Sequence, residues 1–204
     1  MSNLTLFHNG PSTCSQKVRL ILGLKNLTYE SKIIDLQAGE QHDAEYIKLN
    51  PNHVVPTLIC DEKILVESSL ILEFLEDKFP ETSARSNIPE EIHQMRLWMK
   101  TIDAYHIHGG SITYGIGVRN ILILKPKDEL DKEIDEIPDL EKRENRRDLI
   151  ENGLEAKCVI EGLKQSKILM DKLELGLKDR EWFSGSKFGL ADASIFPYVL
   201  RWEQ

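Results

Sequence analysis

Three short stretches of this 204-residue chain place hydroxyl, thiol, carboxylate and backbone groups where helices and strands begin. The run GPSTCSQKVRL sets Ser12, Cys14 and Ser15 at a break between a strand-like alternation and an apolar-periodic helix. The free N–H groups and the dipole of a helix start favour negative charge. A thiol held there loses its proton more readily, and thiols of pKa about 8.5 can fall several units in such places. A hydroxyl donating to that thiolate adds about 1.5–3 kcal/mol. In LNPNHVVPTL, a residue pair followed by Pro56 at a strand start fits a cis-proline turn. Such a turn exposes the backbone N–H and C=O of Val55 for pairing with an extended peptide. In LVESSLILEFLEDKFP, Glu67 stands just before an amphipathic helix that Ser68 or Ser69 would cap.

Other reactive side chains point to less. Cys14, Cys60 and Cys158 are odd in number, far apart and without a CxxC, which excludes a disulfide framework and a zinc ribbon. Cys60 and Cys158 read as small buried hydrophobes. His106 and His108, at i and i+2, point to nearly opposite sides of a helix, so no metal site is expected.

The elements that position these residues follow from periodicity. Residues 3–8 read as a strand, 16–24 as a helix, 29–34 as a second strand and 44–49 as a short helix. Residues 56–59 and 63–66 read as an antiparallel hairpin, and 68–78 as a strong helix with Leu70, Ile71, Phe74 and Leu75 on one face. The order βαβ then ββα predicts a compact four-stranded α/β layer over residues 1–80. Residues 81–89, rich in Pro, Ser and Asn, read as a linker. Beyond them strand signals stop, and residues 90–204 read as an all-helical domain. Its parts are a long helix to about Asn120 bent near Gly109 and Gly110, an acidic excursion from Pro126 to Pro138, helix over 140–177, and a last helix over 189–202 kinked at Pro197.

A formal charge of −8 and a pI near 5.3 argue against a general nucleic-acid binder. Residues 1–8 lack the basic and apolar regions of a signal peptide. No apolar run approaches the roughly 18–20 residues that span a bilayer. The expectation is a soluble, cytoplasmic protein with no membrane partner.

With these residues in place, the chain resembles the soluble glutathione S-transferases over nearly its whole length. The serine loop is similar to that of theta, zeta and delta members and, in part, to β-aryl etherase-like members. The resemblance implies a thioredoxin-like N-terminal domain, an all-α helical-bundle C-terminal domain, glutathione as co-substrate, no metal, a small hydrophobic electrophile as second substrate, and a homodimer serving detoxification. Thiol activation would fall to Ser12, to Ser15 as in etherase-like members, or to Cys14 near the cysteine of the beta class. The tyrosine that other classes carry at the end of the first strand is replaced by Phe7 and His8. The resemblance further gives the γ-glutamyl α-amine to Glu67, the α-carboxylate to Ser68, the peptide edge to Val55 and Pro56, and the glycyl end to His53 and Gln41. Electrophile-binding candidates on the fourth helix are Tyr105, His108, Ser111, Ile112 and Tyr114, with His106 and Arg119 beside them. Near the C-terminus, Asp192 follows by three residues a cap position where relatives carry Ser or Thr. Here that position is Gly189, which leaves the reciprocal box half made. Typical members continue through one or two more helices after the point where Gln204 stands.

The expected reaction is attack of an activated glutathione thiolate on an electrophilic carbon. Two alternatives stand beside it. One is a glutathione-dependent thiol transferase or β-aryl etherase using Cys14 or Ser15. The other, from a different class, is a non-catalytic interaction module on the same fold.

Overall fold

The computed structural model of the chain describes residues 2–137 and 139–203. Pro138, which closes the expected acidic excursion, and Gln204 lie outside the described residues. The chain packs as two compact units: residues up to Ile102 together with those from Asp179 on, and Asp103–Lys178. In chain order the elements are β1 (Leu4–His8), α1 (Thr13–Leu24), β2 (Glu30–Ile33), a 3₁₀ turn (Glu40–His42), α2 (Ala44–Leu49), β3 (Thr57–Cys60), β4 (Lys63–Leu65), α3 (Ser68–Lys78) and α4 (Pro89–Thr113). A π-helical turn (Tyr114–Val118), α5 (Arg119–Leu122), α6 (Lys127–Asp135), α7 (Leu140–Asn152), α8 (Lys157–Leu177) and α9 (Leu190–Glu203) follow. The fold is thus an α/β thioredoxin-like layer followed by helices.

The sheet has the order β2-β1-β3-β4, with β1 parallel to β2 and antiparallel to β3, and β3 antiparallel to β4. Side chains of β1 alternate by the strand period of two. Leu4 and Leu6 are buried on one face, while Phe7 points to the other and meets Tyr46 of α2 with ring centroids 5.9 Å apart. Helices α1 and α3 pack together and bury Val18, Ile21, Leu22, Ile71, Leu72 and Leu75.

An ionic staple closes the α1–α3 layer. Lys25, at the C-cap of α1, meets Glu76 of α3 at 2.7 Å with both side chains at 4% exposure or less. Its ammonium also donates to the carbonyls of Phe79 (2.9 Å) and Thr82 (2.8 Å). Glu76 in turn accepts from Ser83 Oγ (2.8 Å) and Ala84 N (2.9 Å). Burial by itself pushes the Glu76 carboxyl up. Donation from Lys25, Ala84 and Ser83 outweighs it and holds the group below the usual carboxylate value. The stabilisation is therefore complete above the ordinary carboxylate pKa and is lost as the pH falls through the lowered one. The linker residues that read as a plain tether are strapped down at their start by these bonds.

The end of the same unit corrects the half-made box. Ser184 supplies the missing hydroxyl: its Oγ accepts from Ala191 N at 2.9 Å. The Asp192 carboxylate accepts from Phe183 N (2.8 Å), Ser184 N (3.1 Å) and Gly189 N (3.0 Å). Position 189 has no room for a side chain, because a Cβ there would lie 2.2 Å from Ala84 O, the carbonyl that receives Leu190 N at 2.9 Å. Two further differences lie in the other unit. The long α4 pattern changes not at Gly109 and Gly110 but at the π-helical turn Tyr114–Val118. The helix expected over 140–177 breaks at Gly153, whose φ of +59° suits glycine.

Two outcomes follow from this packing. Gly189→Ser, which would place a hydroxyl at the cap position, should instead destabilise the chain by about 2 kcal/mol or more through overpacking; an unchanged midpoint in urea would disprove this close-approach argument. Lys25→Met should cost about 3–5 kcal/mol, because Glu76 is left buried without its cation. Adding Glu76→Gln to Lys25→Met should recover a clear part of that loss in the same measurement.

Candidate functional site

Strand directions gather the candidate residues at one edge of the sheet. The register pairs Phe7 with Thr57 and His8 with Ile33. Leu58 pairs with Leu65. The C-terminal ends of β1, β2 and β4 and the N-terminal end of β3 therefore lie together. The segments leaving or entering at that edge carry Ser12, Cys14 and Ser15 after β1, Gln41 after β2, His53 to Pro56 before β3, and Glu67 and Ser68 after β4.

In the first segment Ser12 is the N-cap of α1, and its Oγ accepts from Ser15 N at 3.2 Å. A hydroxyl that accepts still has its proton to give, and Ser12 is partly exposed. Ser15 is differently engaged: it is fully buried, and its Oγ accepts from Asn9 N at 3.3 Å, which ties the loop to the helix. Cys14 Sγ lies 4.0 Å from Tyr198 Oη of α9, and the buried Lys17 ammonium sits over the same ring at 5.5 Å. The loop's carbonyls are collared by cations: Arg19 donates to Asn9 O (3.0 Å) and Gly10 O (2.7 Å), and Arg201 donates to Pro11 O. Arg19 also donates to His8 Nδ1 at 3.0 Å, so Nε2 carries the imidazole proton toward Ser31 Oγ at 2.8 Å. Burial and the adjacent Arg19 charge push His8 below the usual histidine value and keep it neutral. His8, at the end of β1, is thus a brace of the loop.

The Val55–Pro56 bond is cis. The preceding carbonyl, Val54 O, receives Tyr46 Oη (2.7 Å) and Asn50 Nδ2 (2.9 Å). Both donors also reach Thr57 Oγ1, at 3.0 and 3.1 Å. Val55 itself packs with Ile34 and Tyr46. His53, with φ +56°, meets His42 with 2.9 Å between their Nδ1 atoms; His42 is a neighbour that the sequence reading passed over. Next to His42, Gln41 Oε1 is buried with no hydrogen-bond partner among the described residues.

Glu67, exposed and with φ +66°, occupies the N-cap of α3, so Ser68 and Ser69 fall inside the first turn and do not cap it. The Glu67 side chain makes no capping bond. A non-glycine residue held in this region costs about 1–3 kcal/mol and tends to occur at ligand clamps. Ser68, 7% exposed, sits at the helix start, where a carboxylate is favoured.

The remaining candidates belong to the Asp103–Lys178 unit. Tyr105 is turned into that unit's core: it is 5% exposed, and its hydroxyl meets buried Ser166 Oγ at 2.6 Å. His108 lies 6.4 Å from the Tyr105 ring, and Ser111 Oγ donates to Ile107 O at 3.0 Å. Ile112 packs on Gly162, where a Cβ would lie 3.1 Å from Ile112 Cγ1. Arg119 Nε is shared by the carbonyls of Leu149 and Ile150, each at 3.1 Å. The Tyr114 ring lies under the Arg146 guanidinium at 3.6 Å. Arg146 stands in the charged run of α7 and was not among the residues that the sequence marked. The available signal was the absence of an acidic residue three or four positions from it in the helix.

Residues 11–78 match the family model described as glutathione S-transferase, N-terminal domain. Protein LigF of Sphingobium sp. (strain NBRC 103272 / SYK-6) is 29% identical over 196 residues, which span 95% of this chain and 76% of that protein. The crystal structure of this β-etherase superposes with a TM-score of 0.90 at 28% identity, covering 99% of this chain and 84% of that one. A zeta-class glutathione S-transferase of Euphorbia esula is 40% identical over 94 residues, 46% of this chain and 40% of that protein. Sheet edge, serine loop and these likenesses agree, and residues 11–78 form a domain similar to the glutathione S-transferase N-terminal domain, within a fold shared with the β-etherase LigF.

Proposed function

We propose that the chain works as a glutathione transferase that binds the tripeptide along this sheet edge and activates its thiol with Ser12. The observation that carries the reading is Glu67. An exposed carboxylate in a strained backbone conformation stands beside Ser68 at the start of α3. That pair suits the γ-glutamyl zwitterion, with the acid taking the ammonium and the helix start taking the carboxylate. Val55 supplies the backbone edge to the cysteinyl residue, and Gln41 and His53 serve the glycyl end. The unpartnered Gln41 amide oxygen fits a donor such as a peptide N–H.

Ser12 keeps its hydroxyl proton for the thiolate while its oxygen is fixed by the cap bond. Ser15 holds the loop from inside. The thiol proton leaves to solvent, the sulfur forms a bond to the electrophilic carbon, and the leaving group departs with its electron pair. Ser111, Ile112 and Tyr114 form the face offered to the electrophile. A cytoplasmic homodimer with a role in detoxification completes the reading, on family grounds. Likeness to LigF favours one particular leaving group: an aryloxide, released when the thiolate attacks the carbon of an aryl ether.

Three variants test this. Ser12→Ala should raise the pKa of bound glutathione, read by thiolate ultraviolet absorbance. It should also lower kcat/KM toward 1-chloro-2,4-dinitrobenzene or an aryl ether by about 10- to 100-fold. Cys14→Ser should stay within about twofold; loss of activity in that variant with Ser12→Ala intact would move the chemistry to thiol transfer through Cys14. Glu67→Gln should weaken glutathione binding by about tenfold in calorimetry. Failure of the parent chain to bind a glutathione resin would favour a non-catalytic module.

A further inference from the structure

The geometry points to a carboxylate subsite at Arg146, which would select electrophiles bearing a carboxylate. This rests on the reading of Ser111, Ile112 and Tyr114 as the electrophile-binding face. Nearby arginines of the same unit are consumed by acceptors. Arg143 donates to Ile137 O (2.7 and 3.1 Å), Arg147 pairs with Asp135, and Arg119 holds the last carbonyls of α7. Arg146 has none: among the described residues its contact is the Tyr114 ring. Its helical neighbours at three and four positions are Lys142, Arg143, Leu149 and Ile150, so no carboxylate on α7 can swing over to it.

A guanidinium lying flat on an aromatic ring keeps its N–H fork in the plane of the stack, pointing sideways. That fork matches a carboxylate in two parallel bonds. Stacking has already fixed the side chain, so less conformational freedom is lost when the anion arrives. The ring beneath is held in turn, since Tyr114 and Cys158 pack on the buried cluster of Leu149, Ala156 and Val159. Tyr114 also opens the π-helical turn, a local irregularity that occurs often at functional sites.

The test is calorimetric binding of 4-nitrobenzoate against uncharged 4-nitrobenzamide, together with turnover of 4-chloro-3-nitrobenzoate against 1-chloro-2,4-dinitrobenzene. The parent chain should prefer the benzoate by about tenfold or more, as expected for a charge-assisted pair. Arg146→Met should abolish that preference and cut kcat/KM for the anionic halide alone. Arg146→Lys, which keeps the charge without the planar fork, should fall between them, and matched thermal midpoints establish that both variants are folded. Equal affinity for acid and amide in the parent chain, or a preference that survives Arg146→Met, overturns the subsite. Arg146-dependent benzoate binding in a protein that neither binds glutathione nor turns over either halide would uphold the subsite and sink the transferase reading.

Discussion

Glu76 must remain ionised inside the protein, and much of the first unit is arranged to allow it. A carboxylate at 4% exposure is tolerated because Lys25, Ser83 and Ala84 all donate to it. Those partners come from the end of α1 and from the chain just after α3, so the same bonds fix the two helices whose N-termini form the candidate site. Ala84 carries the constraint further. Its N–H is spent on Glu76 and its carbonyl receives Leu190, which sets the start of α9 and forces glycine at position 189. The cap hydroxyl has consequently moved to Ser184. A network that looks like fold maintenance thereby determines where Tyr198 of α9 meets Cys14 and where Arg201 meets the serine loop.

At the sheet edge, side chains divide between those that hold the loop and those left facing outward. His8, Arg19 and Ser15 are spent on loop backbone and on one another. Ser12, Glu67 and the Gln41 amide oxygen retain hydrogen-bonding capacity. The division has a physical origin. Burial pushes polar groups into internal pairing, since an unpaired one costs about 1–3 kcal/mol. Groups that remain unpaired among the described residues or strained, such as Gln41 Oε1 and the Glu67 backbone, are where a ligand has something to gain.

The Asp103–Lys178 unit shows the same division. Tyr105 is drawn into a buried bond with Ser166 and Arg119 into capping α7, which removes two polar groups from the outward set. Among the described residues, Arg146 remains with a ring for support and no acceptor. Charge alone does not mark it, since it sits among lysines and arginines of the same run. What separates it from Arg143 and Arg147 is that each of them has an acceptor, while among the described residues Arg146 has none.

Much of the fold was legible in the chain. Helices 44–49 and 68–78 fall where apolar spacing put them, and the hairpin across Asp61 and Glu62 is antiparallel, because short-range periodicity and turn length are local properties. Residue types at the serine loop, at VPTL and at Glu67-Ser68 likewise sufficed to mark the sheet edge and the likeness to a glutathione S-transferase N-terminal domain. Strand order, however, was needed to bring these segments together, and packing alone assigned Ser15 and His8 to the loop brace, moved the cap from Gly189 to Ser184, and set Arg146 on Tyr114. Those outcomes depend on partners far away in sequence, such as Asn9 with Ile34 and Ala84 with Leu190. The sequence by itself therefore determined the elements and the chemistry available at their ends. Tertiary structure decided which of those groups are consumed internally and which remain to meet a ligand, because hydrogen-bond satisfaction is settled only when distant segments share one interior.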